Sequence, residues 1–255
     1  MRISLTKFLT LWLAVSLVLY FWLIIPKKVL AANATETFDS YADGTSLSGL
    51  TGGSGWDGSG WVQTTAGYAA ETTGCQAGAA CAKVAQSTDS DYYRNFSAAI
   101  TKGTITYYVK GATGGDQYVH FSNDTDGAAT CSAGCKIYQP YSPGTGDVQF
   151  CGTTCSSIGT LTAGSWGLIT IDFNGGGAAG CTDGQAQAKL DAGSFSPCKT
   201  FVGTGSNSLA GIGLEFGGSA NREHWVDEIS VTDEGAAAGG VDDILYTPTW
   251  YFNEF

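Results

Sequence analysis

The stretch QYVHFSND contains the residues best suited to acid–base chemistry. Tyr118 and His120 are two positions apart, so in a β-strand the phenol and the imidazole share one face. Such a pair can exchange protons with a bound substrate, and Tyr138 and Arg222 can join it if the fold brings them near. The chain has one other histidine, His224, and no G-x-S-x-G sequence, so nothing indicates a serine nucleophile.

The acidic residues do not form a regular catalytic pair. Glycosidases of most families use two carboxyl groups that face each other across the scissile bond. Glu223 and Asp227 can share a strand face, but Glu228 then points the other way. Glu215 should point to the face opposite its apolar neighbours. A catalytic pair with Glu228 is conceivable if the two residues lie on neighbouring strands. We expect these acids to be solvated or hydrogen-bonded.

Asp227 stands in an apolar alternation, on the face predicted for Trp225, Ile229 and Val231. A buried carboxylate needs a partner because its desolvation is costly. The favoured interpretation is a hydrogen-bonded tie between the strand end and a loop. A calcium ligand and a catalytic carboxylate are the alternatives.

Aromatic residues provide a second kind of candidate site, because ring faces stack on the apolar faces of sugars. Trp56 and Trp61 lie in the loop GGSGWDGSGW, which can present rings to solvent or use them to cover the end of a core. Together with Tyr118, His120, Tyr138 and Arg222, they form the predicted carbohydrate-binding set.

The loop SNDTDG offers oxygen ligands for calcium through Asn123, Asp124 and Asp126. Its spacing does not match an EF-hand. Calcium is therefore the one cofactor that the sequence suggests.

Residues 1–31 have the character of a targeting segment. Arg2 and Lys7 precede an uncharged stretch over residues 8–26, and Val29 and Ala31 are small enough for cleavage after Ala31. The apolar stretch is also long enough to act as an uncleaved membrane anchor. Both interpretations export residues 32–255.

Eight cysteines, all in the exported part, predict disulfides in an oxidising compartment: Cys75, Cys81, Cys131, Cys135, Cys151, Cys155, Cys181 and Cys198. Cys75 with Cys81 and Cys181 with Cys198 would close short loops. The middle four can form nested bridges across a hairpin, 131–155 with 135–151, or local bridges, 131–135 with 151–155. A zinc site is disfavoured because no histidine accompanies the C-x3-C spacings.

Composition predicts an all-β domain. The 37 glycines and the scarcity of helix formers disfavour helices, and ten short alternating runs separated by turn residues favour a two-sheet sandwich. The formal net charge is -11, and residues 1–31 contain four basic residues and no acidic ones, so the exported part carries -15. Such a surface repels phosphate backbones, which makes nucleic acid an unsuitable partner.

Four stretches in order, ETFDSYADGTSLSGLTGGSGW, YYRNFSAAITKGTITYYVKG, SWGLITIDFNGG and HWVDEISVTD, resemble bacterial concanavalin A-like lectin/glucanase domains, the laminin-G-like jelly rolls. The resemblance covers about residues 36–233. It implies a jelly roll of two curved antiparallel sheets, a concave face that often receives sugars, and sometimes a bound calcium. The family includes enzymes and binders, but the E-x-D-x-x-E run of its glucanases is absent here.

Three classes of function remain. The favoured one is an exported, non-catalytic lectin-like domain, secreted or on the cell surface, that binds glycan or mediates adhesion. The second is a structural or assembly subunit, in which the tail after the linker at residues 234–240 docks on a neighbouring copy. The third is a polysaccharide lyase or glycoside hydrolase, for which Tyr118 and His120 are the best candidates because lyases on jelly rolls pair a Tyr with a His, Arg or Gln. Domain limits are expected at 1–31, 32–233 and 234–255.

Overall fold

The structure, a computed structural model, describes residues 32–65, 67–86, 90–110, 116–122, 134–139, 146–152, 154–177, 180–200, 208–217 and 222–234. These residues form fifteen strands and no helix. In chain order the strands are β1 (Ala32–Glu36), β2 (Val62–Thr65), β3 (Ala69–Glu71), β4 (Cys81–Gln86), β5 (Ser90–Ile100), β6 (Gly103–Lys110), β7 (Asp116–Ser122), β8 (Gly134–Gln139), β9 (Asp147–Cys151), β10 (Cys155–Thr160), β11 (Trp166–Phe173), β12 (Gln185–Leu190), β13 (Lys199–Thr200), β14 (Leu209–Gly217) and β15 (Arg222–Asp233).

The strands form two antiparallel sheets. One has eight strands in the order β13-β12-β11-β6-β15-β4-β3, with β1 also paired to β15. The other has seven strands in the order β10-β9-β8-β7-β14-β5-β2. The all-β, two-sheet sandwich predicted from the alternating runs is therefore confirmed.

The core lies between the sheets and follows the predicted alternation. In β6 every second residue is buried, including Ile105 and Val109. The seven-stranded sheet contributes Val119, Phe121 and Leu214 to the same core cluster. Because successive side chains of a strand point to opposite faces, the residues between these positions form the outer face of each sheet.

One predicted alternation is wrong, at the end of β15. Val226 pairs with Val109 and Ser230 pairs with Thr106, so the register shifts between Asp227 and Ser230. Glu228, inside this bulge, has a φ of 51°. A bulge adds a residue to one strand and reverses the alternation beyond it. Ile229 therefore joins the core, while Asp227 does not share its face.

Three disulfides are present among the described residues: Cys75–Cys81, Cys151–Cys155 and Cys181–Cys198. The two short-loop pairings expected from the sequence are confirmed. The bridge between Cys151 and Cys155 excludes the nested alternative and leaves the local one. Cys131 lies outside the described residues.

The predicted targeting segment and the C-terminal tail also lie outside the described residues. Within the part that is described, no helix has the length and hydrophobicity to cross a bilayer.

Candidate functional site

Strand register brings three of the predicted sugar-binding residues together on the outer face of the seven-stranded sheet. Tyr118 of β7 lies opposite Tyr138 of β8 on one side and Glu215 of β14 on the other. The row continues to Gln149 of β9 and Asp91 of β5. Directly opposed residues of antiparallel strands share a face. We call this row, Gln149–Tyr138–Tyr118–Glu215–Asp91, the tyrosine row.

A second row lies beside it on the same face, displaced by two residues along each strand. His120 stands opposite Lys136 of β8 and Gly213 of β14, and Gly213 stands opposite Tyr93 of β5. We call this row the histidine row. The two rows place an imidazole, a carboxylate and several phenol-bearing residues on adjacent strands of one surface.

His120 connects the two rows by a hydrogen bond to Glu215. The distance between His120 Nε2 and Glu215 Oε2 is 2.5 Å. Glu215 is diagonal to His120 in the sheet, and Gly213, directly opposite His120, has no side chain to block this approach. The pair was not predicted, because alternation shows which face a residue occupies but not which strands are neighbours.

The two members of this pair differ in exposure. The side chain of His120 is 3% exposed and that of Glu215 is 28% exposed. Glu215 is thus the member that a ligand from solvent can reach, whereas the buried His120 holds it by a hydrogen bond. This arrangement fixes the direction of the carboxylate.

Beyond the tyrosine row, polar groups continue onto the edge of the sheet. Gln149 donates to Asp147 through its Nε2 at 2.8 Å, and Ser157 Oγ donates to the other oxygen of Asp147 at 2.5 Å. All three residues keep some exposure. They extend the polar surface across β9 and β10.

Trp56 and Trp61 pack inside the sandwich. Of the two options that the sequence left open, the rings cover the core and are not presented to solvent. Trp61 is 1% exposed and Trp56 is 8% exposed. Trp56 lies over the Arg94 guanidinium at 4.7 Å and stacks on Phe96 with ring centroids 5.4 Å apart. Neither ring offers a free face to a sugar in this conformation.

The buried tryptophans surround an ion pair. Arg94 Nη1 lies 2.6 Å from Glu36 Oε2, and the Trp61 Nε1 donates to the same oxygen at 3.4 Å. Tyr41 also donates to Glu36. Burial, together with the Glu36 carboxylate, raises the pKa of Tyr41 to about 12, so its phenol stays protonated.

The tryptophan loop presents a polar side chain in place of the rings. Asp57, next to Trp56, is exposed and hydrogen-bonds the side chain of Asn95 on β5. Burial acts to raise the pKa of Asp57, but hydrogen bonds from Ser59 and Asn95 lower it below its usual value. Asn95 lies opposite Gly211 on the outer face, so Asp57 borders the surface that carries the two rows.

Arg222 and His224 lie on the other sheet. Arg222 pairs with Gln86 of β4, so the structure does not bring it to Tyr118. His224 is 1% exposed, and its Nδ1 lies 2.5 Å from the Tyr68 hydroxyl. Burial lowers the pKa of His224 to about 3, which keeps it neutral. Neither residue belongs to the tyrosine or histidine row.

The suggested Glu215–Glu228 pair does not exist, because β14 and β15 belong to different sheets. Glu228 instead follows Asp227 in the eight-stranded sheet, and its backbone N–H donates to that carboxylate.

Asp227 ties a loop to its strand, as the favoured interpretation predicted. Its Oδ2 accepts hydrogen bonds from the backbone N–H groups of Gln76 at 3.0 Å and Ala77 at 3.2 Å. Its Oδ1 accepts from the N–H of Glu228 at 2.9 Å. Burial raises the pKa of Asp227 to about 6, although these amides favour the ionised form.

The calcium ligands predicted at Asn123, Asp124 and Asp126 lie outside the described residues, so this site stays a prediction. Among the described residues, Cys75, Cys81 and Asp227 bring ligand-type atoms within 4.8 Å of one another. The two sulfurs form a disulfide there, which leaves no thiolate for a metal.

A small cleft of about 250 Å³ lies at the edge of the eight-stranded sheet. Its floor consists of small residues, and its charged lining residues are Asp43, Glu71 and Lys83. Lys83 is paired with Glu71 at 3.2 Å, and Asp43 accepts from the N–H of Thr72. These charges already have partners within the protein.

Comparison with models of protein families and with characterised proteins found no match. Among solved structures, similar folds include the Crh5 transglycosylase in complex with NAG, with 14% identity, TM-score 0.48, and 80% of this chain and 85% of that chain covered. The Bacillus licheniformis beta-glucanase has 12% identity, TM-score 0.46, and coverage of 79% and 99%. The carbohydrate binding module CBM66 from Bacillus subtilis has 13% identity, TM-score 0.42, and coverage of 68% and 94%.

These structures are of the concanavalin A-like lectin and glucanase type that the sequence resembles. Their low identity limits the similarity to the arrangement of strands. No residue role is transferred from them to this chain.

Proposed function

We propose that this chain is an exported, non-catalytic carbohydrate-binding domain. The ligand contacts the outer face of the seven-stranded sheet, over the tyrosine row and Glu215. Tyr118 and Tyr138 supply ring faces for stacking on the sugar, and Glu215 accepts hydrogen bonds from its hydroxyl groups.

The observation that supports this proposal most is the register of β8, β7 and β14. It aligns Tyr138, Tyr118 and Glu215 directly opposite one another. Rings beside a fixed polar group are the combination that sugar sites use, since stacking gives affinity and polar contacts give orientation. The buried positions of Trp56 and Trp61 leave this surface as the better candidate.

The test is a glycan array followed by titration calorimetry with the glycans that bind. Tyr118→Ala and Tyr138→Ala should each weaken binding at least tenfold. Tyr108→Ala is the matched control, because Tyr108 is a half-buried residue of β6, on the outer face of the other sheet. No saturable binding to any glycan, or equal losses for Tyr108→Ala, would contradict the proposal.

Glycoside cleavage is the second candidate, favoured by one observation. Asp91 occupies the register position directly opposite Glu215, and glycosidases use a pair of carboxyl-bearing residues that flank the scissile bond. Release of reducing ends from a bound glycan, abolished by Glu215→Gln, would establish this activity. Lyase chemistry at Tyr118 and His120 would instead yield an unsaturated product that absorbs in the ultraviolet.

Export, calcium and assembly are parts of the proposal with separate tests. The three disulfides support an oxidising compartment, which fits a secreted or surface-bound protein. Calcium at Asn123, Asp124 and Asp126 predicts a lower melting temperature after chelation. Assembly through the tail after the linker, residues 241–255, predicts oligomers that disappear when this tail is deleted.

A further inference from the structure

Glu215 is an ordered, partly exposed carboxylate on the proposed binding surface. Its side chain is 28% exposed, and its Oε2 is held by the almost fully buried His120. An ionised carboxylate has only acceptor sites. Whatever approaches Glu215 must therefore bring hydrogen-bond donors to it.

The residues around Glu215 strengthen this requirement. Asp91 occupies the position directly opposite on β5, and the exposed Asp57 borders the same face through Asn95. Asp147 lies at the far end of the tyrosine row, where it accepts from Gln149. Lys136 occupies the register position opposite His120. Among the described residues, four acidic positions therefore lie on or beside the two rows, at Asp57, Asp91, Asp147 and Glu215, against one lysine position.

We infer that the glycan is rich in donors and carries no negative charge at this surface, that is, a neutral or amino sugar. The inference rests on the proposed carbohydrate-binding function. Glu215 is the residue that determines specificity, because hydroxyl or ammonium groups can donate to its carboxylate. A uronate or sulfate group at the same point is repelled and leaves its own oxygens without donors.

His120 acts as a positioning residue in this inference. It does not need to touch the ligand, because its side chain is only 3% exposed. Its hydrogen bond holds the Glu215 carboxylate in one direction, so the site does not have to order that side chain when the ligand binds. Losing the imidazole donor should weaken binding without removing any ligand contact.

The experiment uses matched derivatives of whichever neutral glycan binds on the array. Calorimetry is carried out on the exported domain with the neutral parent, its carboxymethylated or sulfated form, and its aminated form. The anionic form should bind at least tenfold more weakly than the parent, and the aminated form at least as tightly. Comparing the affinities of the neutral parent and the aminated form shows whether hydroxyl or ammonium groups are the better donors to Glu215.

Variants separate Glu215 from the general negative charge of the protein. Glu215→Gln should weaken binding of the neutral parent about tenfold, the cost of losing a hydrogen bond to a charged acceptor. It should also reduce the ratio between parent and anionic form several-fold. Glu223→Gln removes the same charge from the other sheet, where the Glu223 side chain is 48% exposed, and should leave both affinities unchanged.

His120 is tested with two variants of different hydrogen-bonding capacity. His120→Gln keeps a nitrogen donor near the position of Nε2 and should retain most of the affinity. His120→Leu removes the donor and should weaken binding. Melting temperatures of both variants are measured, so that affinity is compared between folded proteins only.

The outcomes distinguish the two claims. If no glycan of any charge binds, the proposed function fails. If the anionic form binds as tightly as the neutral parent, or if Glu215→Gln leaves their ratio unchanged, the inference fails while carbohydrate binding stands.

Discussion

Arg94 and Glu36 form a hydrogen-bonded ion pair inside the sandwich, with 2.6 Å between Nη1 and Oε2 and both side chains 1% exposed. Arg94 also donates to the carbonyl of Gly52 at 2.8 Å, and Glu36 accepts from the backbone N–H of Phe38. The pair joins β1 and β5, which belong to different sheets, to the tryptophan loop between them.

Glu36→Gln should reduce the free energy of unfolding by about 3–5 kcal/mol, because it leaves a buried guanidinium without its counter-charge. Chemical denaturation followed by tryptophan fluorescence measures this loss. Glu71→Gln is the control, since Glu71 pairs with Lys83 at a half-exposed position and such a pair contributes less than about 1 kcal/mol. Equal losses for the two variants would contradict the structural role of the buried pair.

Asp227 should make stability depend on pH in an unusual direction. Its pKa of about 6 in the folded protein exceeds the ordinary value of 3.8, because burial disfavours the carboxylate. The folded state therefore binds this proton more tightly than the unfolded state. The stability that Asp227 contributes is complete below about pH 4 and is lost as the pH rises through 6. Two pKa units correspond to at most about 3 kcal/mol.

The measurement is the free energy of unfolding from pH 4 to pH 7 for the wild type and for Asp227→Asn. Taking the difference removes the titration of all other groups. The wild type should lose stability relative to the variant across this interval. A difference that stays constant with pH would show that Asp227 titrates alike in both states.

The disulfides should differ in their contribution according to the loop that each one closes. Cys181 and Cys198 are 17 residues apart, whereas Cys75 and Cys81 are 6 apart. In the chain-entropy model, the larger loop contributes about 3 kcal/mol and the smaller about 2 kcal/mol. Replacing each pair by serines and comparing denaturation midpoints tests this order. A larger loss for the smaller loop would indicate that its role in holding residues 72–80 dominates.

Chemical modification should distinguish the tryptophans by burial. Trp166 is half-exposed at the start of β11, whereas Trp61 is 1% exposed. Limited oxidation with N-bromosuccinimide, followed by peptide mass spectrometry, should find Trp166 modified before Trp56 and Trp61. The unfolded protein, in which all are modified, is the control. Early oxidation of Trp56 or Trp61 would restore the alternative in which the loop presents its rings to sugars.

Strand positions were largely predictable from the sequence, because alternation of apolar and polar residues is a local signal. The run GTITYYVKG corresponds to Gly103–Lys110, and LAGIGLEFGG corresponds to Leu209–Gly217. Strands β1, β2, β3, β10 and β13 were missed, since they have two to six residues and too few large apolar side chains to show a period. The bulge at Asp227 was also missed, because a bulge depends on the partner strand as much as on its own residues.

The candidate site was only partly predictable. Tyr118 and Tyr138 were both in the predicted carbohydrate-binding set, and the register places them opposite each other. The bond from His120 to Glu215 joins residues 95 positions apart, so it depends on β7 lying beside β14. Whether Trp56 and Trp61 are exposed or buried could not be predicted for a similar reason. The guanidinium on which Trp56 packs belongs to Arg94, which is far from the loop in sequence.

The most direct test of the central claim is fluorine NMR of the domain labelled with 3-fluorotyrosine, titrated with a glycan that binds on the array. Single Tyr→Phe variants assign the resonances. The resonances of Tyr118 and Tyr138 should shift with the occupancy measured by calorimetry, while that of Tyr108, on the outer face of the other sheet, should not move. A shift confined to Tyr108, with Tyr118 and Tyr138 unchanged at saturation, would contradict binding at the seven-stranded sheet.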